Sequence, residues 1–128
     1  MIQQVTNGIT ISVKPFFEGT AFRENRLYFV FNYTITIQNN SNDTVQLLER
    51  SWTIFDSLND VELVEGIGVV GEKPVLKPGQ NYTYNSFAML ISPVGAMKGF
   101  YTMVNFTSAK SFKVYIPNFQ LMVSMALN

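Results

Sequence analysis

A chain of 128 residues that is 47% hydrophobic and 14% charged, with a formal net charge of zero, suits one domain burying roughly two-thirds of its unfolded surface and is too apolar to be disordered. It holds no Cys and no His, which removes disulfides, thiolate and imidazole metal sites, cysteine nucleophiles and the commonest general base. Seven acids face Arg50 alone over residues 43–72 and five lysines stand without an acid over 73–128, a distribution that pairs across a sheet more readily than it makes a nucleic-acid footprint. No apolar run approaches the ~20 residues of a membrane span. The opening MIQQVTNGIT has no basic region followed by an apolar one, so no signal peptide is expected and the location expected is cytoplasmic.

Residues 8–14 alternate apolar and polar with period two, as a half-buried strand does. Pro15, unable to donate to a central ladder, ends it. Residues 16–25 (FFEGTAFREN) mix glycine, charge and aromatics and read as a loop of about ten residues, long enough to be functional. The strongest strand is 27–37, with Leu27, Phe29, Phe31, Tyr33, Ile35 and Ile37 on one face and polar residues among those on the other. Residues 39–43 are a turn by their Asn and Asp content. Residues 45–56 then pair back as a hairpin, with Arg50, Trp52 and Ile54 on one face and a bulge where the alternation breaks at Leu47 and Leu48.

A turn at 57–60 and a short strand at 61–65 lead into 64–79, VEGIGVVGEKPVLKPG, which holds half of the eight glycines. Pro78-Gly79 suits the centre of a type II turn. Residues 81–89 alternate as a strand, 92–99 (SPVGAMKG) form a second Pro/Gly loop, and 99–104 with 111–116 make a final hairpin. Pro117 closes that hairpin and leaves 119–127 as an apolar tail, free to add an edge strand, to pair with a second copy in a homodimer, or to dock on a partner. The expected architecture is a single all-β domain over 1–128, an immunoglobulin or fibronectin type III style β-sandwich of seven or eight antiparallel strands. A small closed barrel is the weaker option.

Gly66, Gly68 and Gly71 spell G-x-G-x-x-G. A dinucleotide fingerprint also needs a helix opening at the third glycine, and the few residues before Pro78 cannot hold one. The glycines therefore read first as bulges or close backbone contacts. The alternative is a backbone nest for a phosphate or pyrophosphate, completed by Arg50 and Lys73.

The segments YTITIQN (33–39), VQLLERSW (45–52), EGIGVVGEKPVLKPG (65–79), SPVGAMKGFYTM (92–103) and FKVYIPNFQL (112–121) together resemble the ApaG domain family over roughly residues 3–121. The resemblance implies a fibronectin-III-like sandwich without enzymatic activity. Bacterial members are associated with cobalt resistance and magnesium efflux, and the domain also occurs on eukaryotic F-box and polymerase-interacting proteins, which implies an interaction module. The family usually has His just before the tryptophan, where this chain has Ser51, so a histidine-based metal role does not carry over.

Two functions are therefore expected in competition. The first is a non-enzymatic protein-interaction or regulatory domain with an unidentified protein partner, using Trp52, Glu72, Pro93, Gly95, Met97 and Gly99. The second is a small-ligand site for phosphate, pyrophosphate, Mg²⁺ or Co²⁺ at Gly66, Gly68, Gly71, Arg50 and Lys73. No resident cofactor, dedicated metal site, nucleic acid or membrane is expected. An enzyme would have to rely on carboxylates such as Asp56 and Asp60, which sit around a probable turn with nothing to raise either pKa.

Overall fold

The computed structural model describes residues 2–123. Among them are nine strands and no α-helix: β1 (Ile2–Thr6), β2 (Ile9–Arg23), β3 (Arg26–Asn39), β4 (Val45–Asp56), β5 (Glu62–Ile67), β6 (Val75–Leu76), β7 (Asn81–Leu90), β8 (Val94–Asn105) and β9 (Ser111–Met122). They form two antiparallel sheets, one of four strands in the order β1-β2-β3-β7 and one of five with the path β5-β4-β8-β9 and β6 on β4. This is the expected β-sandwich. Alternate residues of each long strand fill the space between the sheets: Ile9, Ile11 and Val13 on β2, Phe31, Tyr33, Ile35 and Ile37 on β3, and Tyr101 and Met103 on β8 are all buried. The outer face of the four-stranded sheet is instead polar, with Thr34 bonded to Asn85 and Thr36 to Thr83 across β3 and β7.

Three strands exchange their inward and outward residues partway along, each at a bulge. In β2 the register shifts between Phe17 and Gly19. In β4 it shifts between Leu47 and Glu49, the bulge expected there. Val45 and Leu47 face inward before it, and Trp52 after it. Without the additional residue Glu49 would turn into the core and Trp52 out of it. In β9 the shift lies opposite Lys98, so that Val114 and Ile116 are buried before it and Phe119 and Leu121 after it.

These bulges correct several expectations. Residues 16–23 are strand rather than loop, because β1 pairs with β2 only as far as Val13 and Pro15 lies where one edge of β2 is open, so its missing N–H costs little. The chain reverses through Glu24 and Asn25, both at positive φ. Pro117 does not end β9 but sits in its bulge, where an unpaired residue is already required. Strands β3 and β4 are not a hairpin: they belong to different sheets. Asn39, fully buried, turns the chain between the sheets by donating from Nδ2 to the carbonyls of Asp43 and Leu76 and accepting from the Ser41 N–H. The loop expected over 92–99 shrinks to 91–93, since β8 begins at Val94. Strand β1 went unexpected although Asn7-Gly8, with φ of 49° and 80°, is a strong hairpin signal. The Pro78-Gly79 turn forms as expected, Gln80 N–H donating to Lys77 O at 3.0 Å. Of the apolar tail, 119–122 continue β9, and 124–128 lie outside the described residues.

The two long sides of the sandwich differ. On one, β1 and β2 lie against β9, and the Tyr115 N–H donates to Thr6 Oγ1, so the edge of β9 is partly covered by its own chain. On the other, β5 and β7 stand apart, and a cleft of about 580 Å³ opens between them.

Candidate functional site: the seam between β5 and β7

The β4 bulge brings Arg50 to this seam. Its side chain points into the space between the sheets two residues before Trp52, and the last turn of the glycine stretch folds over it. Arg50 Nη1 donates to the carbonyls of Ile67 at 3.0 Å and Gly68 at 2.9 Å. The guanidinium lies flat against Gly66, its register partner on β5; a Cβ there would come within 2.7 Å of Nη2. Among the described residues no polar partner takes the remaining guanidinium donors, and no buried side-chain nitrogen or oxygen is left unpaired. Those donors therefore reach solvent, in the cleft that Arg50 lines.

The glycine stretch itself is a turn closed on itself. Gly68 N–H donates to Leu48 O at 2.8 Å, across the β4 bulge, and Val69 and Glu72 exchange both backbone bonds around Val70-Gly71. Gly68, Val70 and Gly71 have φ of 65°, 49° and 80°. A Cβ on Gly68 would lie 2.2 Å from Glu72 O, so glycine is required there for space as well as for conformation. The amides of Gly68, Val69 and Glu72 are thus engaged, and carbonyls rather than amides point at Arg50. This corrects the picture of a backbone nest for an anion: the loop is a seat for the guanidinium. Lys73 is exposed on the far side of the turn and does not join Arg50.

Behind Arg50 stand three phenols that the sequence reading had assigned only to strands. Tyr33, Tyr84 and Tyr101 are buried, and the Tyr84 and Tyr101 hydroxyls bond each other. Burial holds all three pKa values above the ordinary tyrosine range, while the nearby Arg50 charge pulls each down; at Tyr33 the Ser86 hydroxyl also opposes the rise. The phenols therefore stay neutral, and Arg50 is the cation of the cluster. The signal for this cluster was legible in principle, since a tyrosine in a row of buried Ile and Phe must find a polar partner.

The remaining candidates separate. Trp52, 3% exposed, and Met97, 1% exposed, are core residues and offer no surface to a partner; Trp52 packs edge-on against both Tyr33 and Phe119, from the two sheets. Gly95 and Gly99 lie within β8, where a Cβ would come within 2.3 Å of the Phe55 and Ser51 carbonyls, so they serve strand packing and, at Gly99, room for the Trp52 ring. Glu72 and Pro93 are exposed but far apart in the topology. Asp56 is a brace, accepting from the Ile91 N–H and Ser92 Oγ, both at 2.7 Å, and so joins two turns. Among the described residues no three Asp or Glu side chains gather as a metal-holding group.

The chain was compared with known proteins. Residues 19–105 match the family model described as the ApaG domain. Proteins named Protein ApaG are similar along almost the whole chain: that of Brucella canis is 42% identical over 121 residues, covering 94% of this chain and 92% of the relative, and that of Chromohalobacter salexigens is 38% identical over 120 residues, covering 94% of each. Among solved structures, an X-ray structure of a structural-genomics target superposes with a TM-score of 0.85 at 35% identity, covering 91% of this chain and 88% of that one. A Bordetella pertussis protein described as ApaA superposes at 0.77 and 35% identity, covering 89% and 92%.

Proposed function

The chain belongs to the ApaG domain family, and from that membership we propose that it is a non-enzymatic interaction or regulatory module that holds a protein partner against the outer face of its five-stranded sheet. The observation that carries this reading is the composition of that face. Leu63 and Ile67 on β5 are 69% and 73% exposed, and Phe55 on β4, Phe100 on β8 and Tyr115 on β9 continue the apolar row. Lys98 lies over the Phe55 ring and Lys113 over the Phe100 ring. Exposed apolar groups so arranged, rimmed by charge, mark an interaction surface more often than a bare wall. The opposite outer face, of Thr, Ser, Asn and Gln, offers little for burial.

No histidine or cysteine is present to serve as base or nucleophile, which supports a binding role over catalysis. A part in cobalt or magnesium homeostasis, implied by the family, is then exerted through the partner. The same reading places the protein in the cytoplasm; no helix of the described residues is long and apolar enough to cross a membrane.

The test is photo-crosslinking in expressing cells, with the reactive residue placed at Phe100 or, as the control, at Thr34. A discrete protein adduct from position 100 and none from 34 supports the proposal. Equal adducts from both positions, or none from 100, overturn it.

A further inference from the structure

The seam between β5 and β7 holds a feature that protein capture on the outer face does not use. The cleft is walled by Trp52, Val64, Val69 and Met97, with Tyr33 and Ser86 also lining it. Its volume of about 580 Å³ falls within the ~300–1,000 Å³ of small-molecule sites, which combine an apolar wall with a few placed polar groups. The polar group here is Arg50. Its Nη1 edge is anchored on the loop carbonyls and its flat face on Gly66, so the guanidinium is already fixed in one orientation, while its other donors point to no protein group. A fixed guanidinium with a free edge suits a planar or tetrahedral oxyanion. Glu62, exposed at the rim, disfavours a ligand of high negative charge and favours a single anionic group on an uncharged body.

We propose that this cleft binds a small organic anion, its aromatic or branched apolar body seated on Trp52, Val64 and Met97 and its carboxylate or phosphate on the free edge of Arg50. The loop then acts by holding Arg50, not by meeting the ligand with its amides. Binding depends on both parts of the ligand: the apolar body supplies burial and the anion supplies orientation.

The test is an amide NMR titration of the full chain with phenyl phosphate, 1-naphthoate and inorganic phosphate. Saturable shifts confined to Arg50, Val64, residues 67–70 and 84–88 are expected with an aryl anion, with affinity at least about tenfold above that of inorganic phosphate, a ratio equivalent to one 1.4 kcal/mol step. Arg50→Lys keeps the charge but loses the fork, and should weaken aryl binding about tenfold or more. Should that variant loosen the loop, Val64→Phe at the mouth of the cleft fills the space while leaving Arg50 untouched, and should abolish the shifts. Flat spectra at about 10 mM of either aryl anion, shifts centred elsewhere, inorganic phosphate binding as tightly, or wild-type affinity in a folded Val64→Phe protein each overturn the proposal.

Discussion

The two long sides of the sandwich are closed by different means. On the β1–β9 side the chain covers its own edge with backbone, β1 lying against β9 and the Tyr115 amide bonding Thr6. On the β5–β7 side no strand bridges the sheets, and the closure is left to Arg50, the turn around Val70-Gly71 and the indole of Trp52. A side closed by backbone is committed to staying shut, whereas one closed by a few side chains can hold a cavity and a charge at tolerable cost. That difference explains why the one well-oriented cation of the interior, the glycine stretch and the neutral phenols all gather on the same side.

The comparison breaks most severely at Trp52, which joins the sheets through Tyr33 and Phe119. Trp52→Ala should lower unfolding free energy by about 3–5 kcal/mol in a urea titration, and a loss below about 1 kcal/mol would show that the indole is not the strut between the sheets. The glycine turn supplies a sharper contrast. Gly68→Ala forces a Cβ against the Glu72 carbonyl in a left-handed conformation and should cost at least about 2 kcal/mol, while Gly71→Ala, left-handed but with open space around it, should cost only about 1 kcal/mol. Equal losses in thermal melts would mean that conformation alone, not the close approach to Glu72, selects glycine at 68. The smallest effect has the opposite sign. Val70 is β-branched at a φ of 49°, where Asn is far better tolerated, so Val70→Asn should stabilise the fold by about 1 kcal/mol. A fall in melting temperature would instead assign Val70 a packing role that its 62% exposure does not suggest.

Much of the architecture was legible in the order of residues. The alternation over 27–37 placed Phe31, Tyr33, Ile35 and Ile37 on the buried face, and the doublet at Leu47 and Leu48 located the β4 bulge. Alternation reports which face of a strand is buried, however, and not which strand lies beside it, so β3 and β4 were paired when the buried Asn39 in fact sends them to separate sheets. Pro15 and Pro117 read as stops because their missing N–H matters only inside a ladder, and neither an open edge nor a bulge is visible in composition. The candidate site was half legible. Arg50 and the glycines do meet, but the direction of the carbonyls, which turns an anion nest into a seat for a cation, is a property of φ and ψ rather than of residue type. Trp52 and Met97 were drawn to the surface for want of any signal separating an exposed aromatic from a buried one.

The bulge in β4 has a consequence for how this chain can vary. Each strand is read two residues at a time, and a bulge acts as a frameshift that a later stretch depends on. Losing one residue near Leu48 would not merely shorten a strand: everything downstream would be read in the wrong frame, bringing Glu49 to the interior and sending Trp52 to the water. Homologous chains should therefore gain or lose residues in β2, β4 and β9 either in pairs or at the bulges themselves, and single insertions should be confined to the turns.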